Sequence, residues 1–219
     1  MPVQEPARLF VLRHGQTAWN AEQRIQGHLD MPLNETGHWQ ARCLAQALQG
    51  ERLSAIYSSD LQRAQATAAP LAQAQQLPVV LDTGLRERHF GVFEGSSFTE
   101  IEARWPEQAL RWRQRDPDFG PGGGEALRSF YERSVACAMR LASAHAGQSI
   151  ALVAHGGVLD CLYRAALGID LAAPRSWPVA NATVNRLLWT PQGLTMVGWN
   201  DASHLQAGAN DQPPPADVR

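Results

Sequence analysis

Two apolar runs in this chain end on a histidine followed by glycine. Leu9-Phe10-Val11-Leu12 leads into Arg13-His14-Gly15, and Ile150-Ala151-Leu152-Val153-Ala154 leads into His155-Gly156-Gly157. An arginine at the end of a buried strand is costly to desolvate unless something anionic meets it. Two further runs end in a comparable way. "LSAIYS" is followed by "SSDLQRA", which puts Arg63 in the first turn of a helix, and "PVVL" by "DTGLRERHFG", where Glu87 stands between Arg86 and Arg88. Ligands of open α/β sheets bind beyond the carboxyl ends of the strands. Two histidines, at least two arginines and one carboxylate are therefore expected on one edge of a sheet.

These residue types suit a phosphate group. Arginine offers a planar fork of donors to paired oxygens. A glycine after each histidine lets backbone N–H groups come close to a ligand. A neutral imidazole is a competent nucleophile at neutral pH. A carboxyl group beside a phosphate dianion tends to keep its proton and so can act as a general acid. Each charge contact at about 4 Å is worth on the order of 4 kcal/mol at an effective dielectric of 20. Each residue also has a plainer reading. A histidine after a strand is commonly a structural hydrogen-bonder, Arg63 reads equally as an exposed helix arginine, and Glu87 as a surface partner of Arg86 or Arg88. His28, His38, His145 and His204 read as ordinary surface residues, while Arg88 and His89 are placed at the pocket mouth.

The elements that would position these groups alternate. Strands are expected at Arg8–Arg13, Leu53–Ser58, Pro78–Leu81 and Ser149–Ala154, with a C-terminal hairpin of Val184–Trp189 and Leu194–Trp199. Helices are expected at Glu35–Gln49, through "LQRAQATAAPLAQAQ" with Pro70 kinking or splitting it, at Ser97–Arg104, at Pro106–Gln114, at Glu125–Ala146 and at Val158–Leu167. The longest should bury Leu127, Phe130, Tyr131, Ala138 and Leu141. Trp105 and Trp112 are read as packing residues of the irregular region, and the glycine run Gly122–Gly124 as a flexible connection. The fold class implied is α/β, a three-layer α/β/α sandwich around a mostly parallel, mixed central sheet. One domain over residues 1–204 is expected, with an irregular cover at about 88–124 and a disordered tail at 205–219.

With 219 residues, 44% apolar and 18% charged, the chain is long and apolar enough for a sizeable core. Its net charge of −2 argues against a general nucleic-acid or membrane-surface role. Cys43, Cys137 and Cys161 are widely spaced and read as reduced core residues of a cytoplasmic protein. Neither a secretory signal nor an apolar run of membrane-spanning length is recognisable. No CxxC or HExxH spacing suggests a metal, and no cofactor is expected.

"RHGQTAWN", beginning at Arg13, resembles the signature of the histidine phosphatase superfamily, in its phosphoglycerate-mutase-like branch 1. "QGHLDMPLNETGHWQA", "IYSSDLQRAQATA", "LRERHFGVFEG", "LVAHGG" and "NATVNRL" resemble family segments in the family order, so the likeness runs from about Arg8 to Leu205. The resemblance implies that His14 becomes phosphohistidine, that Arg13, Arg63 and His155 form the phosphate pocket, and that Glu87 donates a proton to the leaving oxygen. It puts Asn20, Gln26 and Gly27 on the substrate side, with Gly156 beside them, and it implies metal-free catalysis.

Such a pocket serves hydrolysis or phosphoryl movement within a sugar acid. Glycolytic mutases of the family carry a longer insertion with a paired-arginine segment. Only about three dozen residues separate Glu87 from Glu125 here, and Arg113 and Arg115 do not reproduce that pair. A phosphatase of a small phosphorylated metabolite is the favoured reading. A cofactor-dependent phosphoglycerate mutase comes second and a non-catalytic phospho-ligand binder third. The hairpin also offers an edge for a homodimer.

Overall fold

The computed structural model describes residues 5–207. In chain order the elements are β1 (Ala7–Arg13), α1 (Ala18–Ala21), α2 (Glu35–Ala47), β2 (Leu53–Ser58), α3 (Gln62–Gln75), β3 (Val79–Leu81), α4 (Phe98–Arg104), α5 (Pro106–Arg113), α6 (Leu127–Ser143), β4 (Ser149–Ala154), α7 (Gly156–Leu167), β5 (Val184–Thr190), β6 (Gly193–Asp201) and α8 (Ser203–Ala207). The six strands form one sheet in the order β3-β2-β4-β1-β5-β6. The first four are parallel to one another, and β5 runs antiparallel to β1 and to β6.

The central strands are apolar on both faces because both faces are covered. Leu9 and Val11 of β1, with Ile150, Leu152 and Ala154 of β4, pack against Phe130, Ala138 and Leu141 of α6 and Val158 and Leu162 of α7. The alternate residues Phe10, Leu12, Ala151 and Val153 face Leu44 and Leu48 at α2 and Ala64, Ala68 and Leu71 of α3. This period of two produces the three layers. The cover has a smaller core of its own, in which Phe93, Ile101, Ala109 and Phe119 are buried with Trp105 and Trp112 against them. Its helix α4 starts with a capping box between Ser97 and Glu100.

Several expectations change in detail. Pro70 does not split α3, which is continuous through it, because Ala64, Thr67, Ala68, Leu71 and Ala72 are buried on both sides of the proline. Helix α6 starts at Leu127 rather than Glu125, since tertiary bonds hold Glu125 outside it: its N–H donates to the His89 carbonyl and its carboxylate pairs with Arg133. Tyr131 is only half-buried on α6. Helix α7 begins at Gly156 rather than Val158, with His155 as its N-cap, so both glycines lie in the first turn. Residues 205–207, expected to begin a disordered tail, belong to helix α8, and the rest of that tail lies outside the described residues. All three cysteines are buried, and burial pushes the Cys137 thiol up to about 12. Among the described residues no helix is long and apolar enough to cross a membrane.

Candidate active site

A cleft of about 760 Å³ opens where β1, β2, β3 and β4 end. Arg13, His14, Asn20, Gln26, Gly27, Arg63, Glu87 and Gly156 all line it. His155 sits behind this surface, fully buried, with its ring centroid 5.1 Å from that of His14.

The two histidines are held differently. Nδ1 of His14 lies 2.7 Å from the Gly15 carbonyl oxygen. A carbonyl only accepts, so Nδ1 carries the proton and Nε2 keeps its lone pair. Nδ1 of His155 instead accepts from Nε of Arg63 at 3.2 Å, which leaves Nε2 to donate to Ser59 Oγ at 2.9 Å. Burial, then the charges of Arg63 and Arg13, hold the His14 imidazole well below its ordinary pKa. Burial, Arg63, His14 and Arg13 do the same to His155. Both rings are neutral at pH 7, and His14 alone has an uncommitted nitrogen.

The arginines are fixed by backbone oxygens. Arg63, buried at the start of α3, gives Nη2 to the Gly27 carbonyl at 2.7 Å and Nη1 to that of Leu29 at 3.0 Å. It is therefore not an exposed helix arginine, and the loop it grips is the one that holds Gln26. Arg13 donates Nη1 to the Val179 carbonyl, while its Nε is buried without a partner. Burial lowers its pKa to about 10, opposed by Glu87 and reinforced by Arg175 and Arg63, so it stays cationic at neutral pH. An orphaned guanidinium N–H in a cationic cleft is a donor awaiting an anion.

Neither flanking arginine claims the Glu87 side chain. Arg86 donates Nε to Asp60 at 2.7 Å. Arg88 is buried and gives Nε to the Glu125 carbonyl at 2.9 Å and Nη2 to that of Phe119 at 2.6 Å. Among the described residues the Glu87 carboxylate accepts only from main chain, from Gly157 N–H at 3.0 Å and Arg88 N–H at 2.9 Å. A Cβ at position 157 would lie 2.2 Å from Glu87 Oε1, so the second glycine makes room for this carboxylate.

Thr17 caps α1 in a capping box with Asn20, whose Oδ1 accepts from the Thr17 N–H at 3.1 Å and from Asn181 Nδ2 at 3.3 Å. Gln26 is buried with Oε1 unpartnered. Gly27 has φ +52°, and a Cβ there would meet Glu94 Oε1 at 2.0 Å, so the turn requires glycine. His28 is no ordinary surface residue. It is partly buried and hydrogen-bonded to the Glu87 carbonyl, while His145 and His204 bond Tyr57 and the Ala182 carbonyl. His89 lies against His28, with ring centroids 4.9 Å apart, and Arg88 lines the cleft.

Sequence reasoning missed Ser59, Asn181 and Arg175. Asn181 Nδ2 donates to the His14 carbonyl at 2.9 Å, and Arg175 lines the cleft on a loop that has no periodicity to betray it. Ser59, directly after β2, was the most findable, being the first residue beyond a strand end. Among the described residues no group of three or more His, Cys, Asp or Glu side chains could hold a metal ion.

The arrangement can bind an anion on two arginines, present a neutral imidazole nitrogen to it and hold a carboxyl group on the same cleft. The chain is 40% identical over 205 residues to phosphoglycerate mutase-like protein 4 of Arabidopsis thaliana, covering 91% of this chain and 87% of that one. It is 37% identical over 207 residues to the metal-independent phosphoserine phosphatase of the same plant, covering 93% and 85%. The solved structure of a mycobacterial glucosyl-3-phosphoglycerate phosphatase with VO3 superposes with a TM-score of 0.80 at 35% identity, over 89% of this chain and 99% of that one. The family model of the histidine phosphatase superfamily, branch 1, matches residues 9–202, and the chain belongs to that superfamily.

Proposed function

We propose that this phosphatase hydrolyses a small phosphomonoester in two steps through a phosphohistidine on His14. In the first step the lone pair of His14 Nε2 attacks phosphorus, the bond from phosphorus to the ester oxygen breaks, and Glu87 gives its proton to that oxygen as the alcohol leaves. In the second, water attacks the phosphoryl group, Glu87 takes up the proton that water loses, and the P–N bond breaks to release inorganic phosphate. Arg13 and Arg63 neutralise the equatorial oxygens throughout, doing the work that a metal ion does in other phosphatases. His155 orients Arg63 through Nδ1; for its Nε2 to reach phosphate, the bond to Ser59 has to be exchanged. Asn20, Gln26, Gly27 and Gly156 shape the substrate side.

The observation that carries this reading is the free Nε2 of a neutral His14 in a cleft lined by seven arginines and only two carboxylates, Glu87 and Asp160. Hydrolysis is favoured over isomerisation because Arg113 and Arg115 are spoken for. Arg113 pairs with Glu102 at 2.6 Å and Arg115 with Asp160 at 2.8 Å, so neither is a free clamp for a substrate carboxylate. The experiment is a paired assay on 3-phosphoglycerate with 2,3-bisphosphoglycerate present, beside a panel of phosphorylated metabolites. Free phosphate is expected from at least one metabolite far faster than 2-phosphoglycerate forms. Isomerisation faster by about an order of magnitude would make the protein a mutase. His14→Ala should abolish either activity.

A further inference from the structure

We infer that His28 is a positioning residue for Glu87, a strut that fixes the proton donor relative to the phosphate-binding Arg63. The inference rests on the acid role proposed for Glu87. His28 Nε2 lies 2.8 Å from the Glu87 carbonyl oxygen and must donate to it, since a carbonyl cannot. The main chain on either side of His28 is gripped by Arg63, through the Gly27 and Leu29 carbonyls. The N–H of His28 donates to Glu94 Oε1 at 2.9 Å, and that oxygen also accepts the Phe90 N–H at 2.9 Å, tying the same loop to the segment after Glu87. One short loop thus connects the arginine that holds phosphate to the residue that protonates the leaving group.

The other anchors of Glu87 come from elsewhere. Gly157 of α7 and the adjacent Arg88 N–H hold the carboxylate, and Arg133 of α6 reaches the Glu87 carbonyl at 3.3 Å while also holding the carbonyls of Gly84 and Arg86. These set Glu87 against the α6 and α7 layer. Only His28 among them refers it to the Arg63 loop, which carries Gln26 and Gly27 on the cleft wall. Proton transfer is steep in distance, and a misplacement of about 1 Å can cost ~10²-fold. Loss of the strut should therefore be felt where the leaving group needs its proton.

The test compares an alkyl phosphate, β-glycerophosphate, with p-nitrophenyl phosphate, whose phenolate departs unaided. His28→Ala should lower kcat on the alkyl ester by about tenfold to ~10²-fold and change kcat on p-nitrophenyl phosphate by less than about threefold. His28→Gln, whose amide N–H can still reach the Glu87 carbonyl, should recover most of the loss. In the Glu87→Gln background, His28→Ala should add no further leaving-group-selective loss. Equal losses on both esters, failure of glutamine to rescue, or additive losses in the double variant would each overturn the strut. If His28→Ala does not fold, His28→Gln against His28→Leu gives the same comparison. Glu87→Gln alone separates the two ideas: selectivity there without selectivity in the His28 variants removes the strut only, and no selectivity in Glu87→Gln removes the acid role itself.

Discussion

His14 and His155 stand 5.1 Å apart, centroid to centroid, in opposite tautomers. His14 is protonated on Nδ1 by its bond to the Gly15 carbonyl, and His155 on Nε2 by its bond to Ser59. Their sequence settings, strand–His–Gly, are alike, yet only His14 keeps a ring nitrogen without a hydrogen bond among the described residues, as the nucleophile role proposed for it requires. The phosphoryl group trapped by rapid acid-free quench should therefore sit on Nε2 of His14. Phosphorus and nitrogen NMR of the trapped species distinguish the two ring nitrogens. A phosphoryl group on Nδ1, or on His155, contradicts the tautomer assignment.

Gly157→Ala should act as a remote disruption of Glu87. The new methyl would meet Glu87 Oε1 at 2.2 Å and the Phe130 ring at 2.9 Å, so carboxylate or ring must shift. General acids contribute about 10²–10⁴-fold, and most of that range should be lost on alkyl phosphates. Thermal stability measured in parallel should fall by a smaller proportion; a variant with full activity on alkyl esters would show that Glu87 has another acceptable position.

Acid should destabilise the protein before its carboxylates titrate. His14 and His155 have folded-state pKa values well below the unfolded value of about 6.5. Above that value neither folded nor unfolded chain binds these protons, and the stability contribution is complete. As pH falls below it, the unfolded chain binds protons that the folded one refuses, so stability is lost by at most about 1.4 kcal/mol per pH unit for each of the two rings. His28 and His204, also lowered by burial, add to the trend. Urea unfolding between pH 7.5 and 5.5 measures the slope. His14→Ala should make it shallower; an unchanged slope would mean that native His14 takes up its proton.

Beneath the cleft Arg164 is fully buried against Asp160 at 3.0 Å, and Arg115 reaches the same carboxylate from the other side. Arg164 also lies 4.8 Å from the centroid of the Trp177 ring. Breaking a buried pair by removing one partner typically costs about 3–5 kcal/mol. Arg164→Met should lose no more than the lower end of that range in denaturant unfolding, because Arg115 still pairs with the Asp160 carboxylate left behind. Adding Asp160→Asn should lower stability further rather than restore it, because Arg115 then loses the carboxylate it still pairs with.

Arg175 is the one cleft arginine without a hydrogen-bond or ion-pair partner among the described residues, and its charge is felt by Arg13. Arg175→Ala should raise KM for esters with a second anionic group, such as 3-phosphoglycerate, by up to about fivefold, the scale of an exposed ion pair. KM for p-nitrophenyl phosphate should hold. A uniform rise for both would place Arg175 in general attraction of anions rather than in recognition.

The layers, and the edge on which chemistry gathers, are legible in the amino-acid pattern. Alternating apolar residues such as Phe10 and Val11 commit β1 to a sheet buried on both sides, and short-range signals such as the Ser97 capping box set helix starts. Strand ends then delivered Arg13, His14, Arg63, Glu87 and His155 to one edge, because in a parallel sheet all carboxyl ends point the same way. How each group is held follows from long-range packing. That Arg86 turns to Asp60 and Arg88 to backbone carbonyls, leaving Glu87 to main-chain donors, depends on residues far away in the chain. So does the choice between two like histidines, which rests on Ser59 and Arg63 meeting His155. Local sequence fixes period, propensity and capping within a few residues. Hydrogen-bond partners, and with them tautomer and charge, are fixed by whichever donors and acceptors the folded layers bring within about 3 Å.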